Sequence, residues 1–211
     1  FLALAAIALG SAVAHFQVKH EKTSFAPEDT KDFVSGMPVG GAFSLVDHKG
    51  NAVTEKSWPG KYKLVFFGFT HCPDVCPVAL QKISEVMENI DAKGEKIVPL
   101  FFTVDPKRDT KAVMAKYVSA YNSHILGLTG TSEKIDQAIE VYKVFAAKIP
   151  DNHEYLSSKD GATFAKNSEN DYMMDHSAYT YLMSPDDKLL EAFGSDETAE
   201  GMIAKIKSHL H

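Results

Sequence analysis

Both cysteines of this 211-residue chain lie in one short segment, and that segment constrains the fold more than any other. It begins with an apolar run, 64–69, rich in β-branched and aromatic residues, which predicts a fully buried strand. Pro77 fits the first turn of a helix, where its missing N–H would be unpaired anyway. The sequence therefore predicts a strand, a tight loop with Cys72 and a helix with Cys76 at or just before its N-terminus. There the helix dipole favours a thiolate.

The cysteine pair has three interpretations on spacing alone. A structural disulfide would close a loop of only a few residues and would stabilise the fold little. A redox dithiol usually has two intervening residues, whereas Cys72 and Cys76 have three. Two thiolates also select Cu(I) or zinc, and a histidine from elsewhere in the fold would complete a trigonal site.

Size and charge exclude some functions. The chain is 45% hydrophobic and 24% charged, which is ordinary for one soluble domain with extensions. Its formal net charge of −6 argues against a nucleic-acid partner, because such binding needs a basic face. Two cysteines are too few for a disulfide scaffold.

The N-terminal segment is predicted to be a targeting element. Residues 1–14 are almost wholly apolar, but they are too few to span a bilayer, which needs about 20 residues. We interpret 1–17 as a truncated membrane anchor or signal segment, 18–39 as a linker and 40–211 as the folded domain. Either interpretation places the domain outside the cytoplasm.

A second β-α unit follows the cysteine helix. The apolar run 97–104 predicts a strand, and Pro99 places it at a sheet edge or at a bulge. Consecutive β-α units favour a parallel sheet, whose loops open at the same edge as Cys72. Asp105 is therefore a candidate neighbour of the cysteines, and helix entry is its equally good alternative role.

The C-terminal part of the chain supplies the candidate third ligand. Residues 127–130 read as a connector, 150–170 as a long exposed loop, and 179–193 as an antiparallel hairpin before a last helix. Of the nine histidines, His176 stands out, because it lies between the long loop and the hairpin and directly follows Asp175. Any single histidine is otherwise more often a surface residue than a ligand.

The order of these motifs resembles the Sco/SenC family of copper-binding, thioredoxin-like proteins. The resemblance covers roughly 43–193 and rests on four stretches: 60–77 with the Cys-Pro-Asp-Val-Cys-Pro motif, 103–110 with Asp-Pro-Lys-Arg-Asp-Thr, 127–130, and 172–186 with the Asp-His motif. The chain departs from the pattern in a longer loop before Tyr172. It also has Asp187 where a glycine commonly follows Pro-Asp.

The resemblance implies an α/β, thioredoxin-like fold with a central mixed sheet flanked by helices, behind one N-terminal membrane anchor. It implies that Cys72, Cys76 and His176 bind one copper ion, as Cu(I) or Cu(II). It further implies a role in assembling the copper centre of cytochrome c oxidase subunit II, after loading by a copper donor protein. The domain would face the bacterial periplasm or the mitochondrial intermembrane space.

Other functions stay open at this point. Cys72 and Cys76 could act as a thiol–disulfide oxidoreductase toward the cysteines of that subunit, or the fold could reduce peroxide. If copper is the cargo, we expect Asp105 or Asp175 to orient His176 by accepting a hydrogen bond from its ring.

Overall fold

The computed structural model describes residues 38–149 and 172–210. The strands are β1 (Ser44–Asp47), β2 (Ala52–Thr54), β3 (Tyr62–Gly68), β4 (Ile97–Thr103), β5 (Leu126–Thr129), β6 (Ala146–Ile149), β7 (Met173–His176), β8 (Thr180–Met183) and β9 (Leu189–Phe193). The helices are α1 (Val75–Ile90), α2 (Lys111–Val118), α3 (Ser132–Val141) and α4 (Ala199–His209).

Seven strands form one mixed sheet in the order β2-β1-β5-β4-β3-β8-β9. Strands β3, β4 and β5 are parallel, whereas β8 and β9 continue the sheet antiparallel beside β3. Strands β6 and β7 form a separate antiparallel pair. The predicted α/β architecture with a mixed central sheet is confirmed.

The two central strands carry the core. All seven residues of β4 are buried, as are six of the seven in β3. Phe67 stacks on Phe102 with ring centroids 4.7 Å apart, and Phe66 lies parallel to Phe101 at 6.2 Å. Because strands covered on both faces need apolar residues at every position, the continuous apolar runs fold as predicted.

The helices begin at residues that satisfy their free N–H groups. The side chains of Thr110, Thr131 and Thr198 each accept a hydrogen bond from the backbone N–H three residues ahead. Helix α1 differs, because Asp74 at its N-cap makes no such side-chain bond. Its first turn instead contains Cys76, which is fully buried.

The prediction that Pro99 places its strand at an edge is wrong. Strand β4 is central, between β5 and β3. The N–H of Tyr62 donates to the carbonyl of Lys96, and the N–H of Val104 donates to the carbonyl of Gly68. The backbone N–H and C=O groups of the even-numbered residues of β4 therefore point toward β3. The backbone of Pro99 therefore points toward β5, one residue before the paired segment that begins at Leu100. Because that segment starts after Pro99, the missing N–H removes no hydrogen bond between β4 and β5.

Two further regions differ from the sequence interpretation. The predicted connector 127–130 is largely β5, which pairs with β4 and β1. Its glycine-containing sequence hid the strand, because glycine lowers strand propensity. The β6–β7 pair was not predicted at all, and β7 ends at His176.

The turn between β8 and β9 explains one departure from the family pattern. Asp187 has a φ of +60°, a conformation that glycine adopts most easily. Its carboxylate forms an ion pair with the ammonium of Lys63, which is only 1% exposed on β3. The aspartate therefore supplies a charge that the buried lysine needs.

The segments predicted as the anchor, most of the linker and the loop 150–170 lie outside the described residues. Within 38–149 and 172–210, no helix combines the length and the apolar character needed to cross a membrane.

Candidate metal centre

Cys72, Cys76 and His176 converge at one point of the described structure. Their ligand atoms all lie within 4.8 Å of one another. The Sγ of Cys76 is 3.5 Å from the Nε2 of His176, and the backbone N–H of Cys76 points at the Sγ of Cys72 at 3.4 Å. Both cysteines are free and buried. The predicted grouping of these side chains is therefore what the fold produces.

Two separate parts of the fold deliver these ligands. Cys72 follows β3 in the loop, and Cys76 lies in the first turn of α1. His176 arrives from β7, which pairs with β6 so that His176 stands opposite Ala146. The ring of His176 packs edge-on against Phe69 and Phe66, with centroids 5.8 and 6.2 Å away. These two paired strands, β6 and β7, are called the β6–β7 hairpin below. The β6–β7 hairpin thus meets the main sheet through these rings.

The tautomer of His176 follows from its hydrogen bond. Its Nδ1 lies 3.0 Å from the carbonyl oxygen of Ser177. A carbonyl can only accept, so Nδ1 carries the proton and the lone pair is on Nε2, which faces Cys76. Burial lowers the pKa of His176, although the Ser177 carbonyl and the Asp175 charge oppose this. The ring is therefore neutral and suited to metal binding.

Burial has the opposite consequence for Cys76. Desolvation raises the pKa of its thiol well above the ordinary value, and the nearby Cys72 raises it further. The expectation that the helix N-terminus favours a thiolate is therefore wrong for the metal-free protein, because burial outweighs the dipole. A bound cation would reverse this balance, since its charge stabilises the thiolate.

The spacing suits a three-coordinate ion. Bonds of about 2.3 Å to sulfur and about 2.0 Å to nitrogen, at trigonal angles, put sulfur and nitrogen about 3.7 Å apart and two sulfurs about 4.0 Å apart. The 3.5 Å contact is close to the sulfur–nitrogen value, and the 4.8 Å limit exceeds the two values by about 1 Å. Two soft sulfurs and one imidazole form the donor set that Cu(I) prefers.

A buried carboxylate fixes the loop that carries Cys72. Asp109 accepts hydrogen bonds from the N–H and hydroxyl of Thr70, at 3.1 and 2.6 Å, and from the hydroxyl of Thr103 at 2.6 Å. Burial raises the pKa of Asp109, whereas these bonds lower it. His71 is half exposed, and its Nδ1 lies 4.0 Å from a carboxylate oxygen of Asp109.

Comparison with known proteins decides the family. The SCO1/SenC family description matches residues 31–211. This chain belongs to the SCO1/SenC family. The mitochondrial SCO1 homologue of Homo sapiens is 35% identical over 195 residues, covering 92% of this chain and 60% of that protein. Protein sco1 of Schizosaccharomyces pombe is 38% identical over 210 residues, covering 99% of this chain and 75% of that protein.

Solved Sco structures have the same fold. Copper-bound ScoI of Bradyrhizobium japonicum is 42% identical with a TM-score of 0.67, covering 82% of this chain and 99% of that one. Copper-bound yeast Sco1 is 37% identical with a TM-score of 0.68, covering 82% of this chain and 88% of that one. These relatives bind copper, and the Cys-Cys-His group of this Sco chain could bind it too.

The two candidate supporting aspartates of the Sco site are placed differently from each other. Asp105 is 2% exposed, and its oxygens accept hydrogen bonds from Arg108 and from the hydroxyl of Tyr172, the latter at 2.6 Å. Asp175 pairs opposite Ala147 in the β6–β7 ladder. The hydrogen bond at Nδ1 of His176 goes to Ser177, so an orienting role for either aspartate stays a prediction.

Sequence reasoning gave no role to Arg108 and Tyr172, which contact each other in the structure. The Nη1 of Arg108 donates to the carbonyl of Tyr172 at 2.8 Å, and its guanidinium lies 3.7 Å from the centre of the Tyr172 ring. One signal was available, because Arg108 is the only arginine of the chain. The Ser177 carbonyl had no sequence signal, since backbone acceptors occur at every residue.

Proposed function

We propose that this protein is a copper metallochaperone that holds one copper ion on Cys72, Cys76 and His176. The observation that carries the proposal is the meeting of two thiols and a neutral imidazole whose free lone pair faces a sulfur. Copper-bound relatives at 42% and 37% identity support copper as the ion. Asp105 and Asp175 would assist by holding the region around His176 in place.

The acceptor we propose is the copper centre of cytochrome c oxidase subunit II, with a copper donor protein upstream. One solved relative, BsSco, is described as a member of the Sco family of cytochrome c oxidase assembly proteins. The arrangement of the ligands suits copper transfer, because His176 belongs to the β6–β7 hairpin, which is separate from the main sheet. Moving that hairpin would leave the ion on two sulfurs and open a coordination position for the acceptor.

The surface around the ligands fits a protein partner. The exposed large apolar residues of the described structure are Val75, Val78, Phe145, Ile149 and Met173. The two valines follow Cys72 on α1, and the other three lie at or within the β6–β7 pair that carries His176. Apolar side chains concentrated around one site are typical of an interaction surface.

We further propose that the domain is anchored to a membrane through residues 1–17 and faces the periplasm or the mitochondrial intermembrane space. The apolar composition of 1–14 supports this, as do relatives whose names include the word mitochondrial. Fractionation of cells that express the natural protein with and without 1–17 tests it. Recovery of both forms in the same soluble fraction would contradict the anchor.

The copper proposal is tested by anaerobic Cu(I) titration of the reduced protein against a competing chelator. We expect one tight equivalent for the wild type. Binding should be lost in Cys72→Ala and weakened by at least about tenfold in His176→Ala, since even substitutions outside the coordination sphere cost that much. His124→Ala is the matched control, because His124 bonds the Ala92 carbonyl away from the site. Binding indifferent to His176 would overturn the proposal.

The alternative function is thiol–disulfide exchange by Cys72 and Cys76. Both are free, and their sulfur atoms lie within 4.8 Å of each other, so a small movement allows a disulfide. In that reaction the two thiols become one disulfide, and their two protons and two electrons pass to a disulfide of subunit II, which becomes two thiols. Reduction of a disulfide-containing peptide that survives in His176→Ala but not in Cys76→Ala would favour this function over copper transfer.

A further inference from the structure

The metal centre has two halves, the cysteine loop with the start of α1 and the β6–β7 hairpin with His176. The side chain of Arg108 contacts residues next to both. On one side its guanidinium lies 5.9 Å from the centre of the Phe69 ring, three residues before Cys72. On the other side it lies 3.7 Å from the centre of the Tyr172 ring, four residues before His176. Arg108 itself belongs to the loop between β4 and α2, which is part of neither half.

Hydrogen bonds hold the Arg108 side chain in this position. The Nε of Arg108 donates to Asp105, and the Nη1 donates to the Tyr172 carbonyl at 2.8 Å. The Tyr172 hydroxyl donates to the other oxygen of Asp105 at 2.6 Å. The Arg108 and Asp105 side chains are only 8% and 2% exposed, so solvent screens these charges little. Asp105 therefore ties the arginine and the tyrosine to the same point.

Tyr172 also connects to the second strand of the hairpin. The Nζ of Lys148 on β6 lies 3.7 Å from the centre of the Tyr172 ring. Two cations at this distance cannot share one face of a ring, so Lys148 and Arg108 cover opposite faces. Each such contact is attractive, because the ring face is electron-rich. The tyrosine thus joins β6, the start of β7 and the body of the domain.

The residue type at position 108 fits this task. The chain contains 21 lysines and a single arginine. A guanidinium can stack on aromatic rings while its fork donates in two directions, and an ammonium cannot do both. The chain therefore has its one arginine where a planar cation must contact two rings, a carboxylate and a carbonyl together.

We infer that Arg108 and Tyr172 are positioning residues that hold the β6–β7 hairpin, and with it His176, against the cysteine loop. They form a clamp, meaning the contacts of Arg108 with Phe69, Asp105 and Tyr172. When the clamp is closed the site has three ligands. When it opens, His176 withdraws with β7, and the two cysteines remain in place on β3 and α1. The role in copper binding rests on the proposed function, whereas hairpin docking does not.

The first test measures hairpin docking in the metal-free protein by amide hydrogen exchange. We expect Arg108→Lys and Tyr172→Leu to speed exchange in 146–149 and 173–176 while amides of β3 and β4 remain protected. Lys107→Ala is the matched control, since it removes an exposed cation from the adjacent position. Unchanged exchange in the hairpin, or an equal rise throughout the sheet, would overturn the clamp.

The second test is a double-mutant cycle on Cu(I) affinity. We expect Arg108→Lys to weaken binding by about tenfold to a hundredfold, as substitutions that support metal ligands do. In the His176→Ala background it should cause no further loss, because its effect passes through His176. A full further loss in that background would overturn the clamp. If the wild type binds no copper, the proposed function fails, and the exchange test still decides hairpin docking.

Discussion

Gly68 controls the position of a proposed copper ligand, and Gly68→Ala tests this. The glycine ends β3 directly beneath Cys76. A methyl group there would lie 2.7 Å from the Sγ of Cys76, 2.9 Å from Phe101 and 3.0 Å from Phe66. The backbone at Gly68 is not left-handed, so the glycine is required for space rather than for conformation.

The size of the effect follows from these distances. The sulfur must retreat by about 0.7 Å to reach the 3.4 Å at which ordinary van der Waals contact begins. The two rings cannot absorb the strain, since both phenylalanines are fully buried in the packed core. Overpacking of this kind costs about 1–3 kcal/mol of folding free energy. A sulfur displaced from its wild-type position meets the ion less well, so copper affinity should fall as well.

We expect Gly68→Ala to weaken Cu(I) binding by about tenfold to a hundredfold in chelator competition while the protein stays folded by circular dichroism. Gly127→Ala is the matched control, because its methyl would meet Met114 and Val118 rather than a proposed ligand. That control should lose stability and keep its affinity. A folded Gly68→Ala protein with wild-type affinity would refute the reasoning that this contact sets the sulfur position.

Two further predictions concern the scaffold. Asp187→Gly removes the cost of the left-handed backbone conformation, which is about 1–2 kcal/mol. It also leaves the buried Lys63 without its carboxylate, which destabilises the fold by about 3–5 kcal/mol. We therefore expect urea denaturation to give net destabilisation, and equal or higher stability would contradict it. Burial lowers the pKa of His48, whose Nδ1 accepts from the Gly127 N–H at 3.1 Å. Stability should therefore be full above about pH 6.5 and fall below it, as the unfolded chain takes up a proton that the folded ring resists. His48→Asn, which can still accept the bond, should lose less stability between pH 7.5 and 5.5.

The sequence was sufficient for the parts of the fold that depend on local pattern. The apolar runs became β3 and β4, and the turn at 184–187 joined β8 to β9. Threonine caps appeared where hydroxyl residues preceded helical patterns. The three candidate ligands also met. The cysteine motif lies at the edge where the parallel strands open, whereas His176 comes from the separate β6–β7 pair and was expected as a ligand from the family resemblance.

The parts that failed depend on long-range contacts. Pro99 entered a central strand because its missing N–H fell just outside the β5 ladder, and pairing register cannot be read from one strand. The expectation for Cys76 weighed the helix dipole but not the burial that raises its pKa. Arg108 and Tyr172 are 64 residues apart, so their contact exists only in the folded domain.

The separation of the ligands along the chain also sets an order of events during synthesis. His176 follows Cys76 by 100 residues, which a ribosome adds in about 5–20 s at about 5–20 residues per second. Throughout that interval the thiol pair has neither its imidazole nor β8, the antiparallel neighbour of β3. The third ligand emerges only four residues before β8 begins. A nascent chain therefore acquires its third ligand and the β8 strand at nearly the same moment, and three-ligand loading can only follow the synthesis of residue 176.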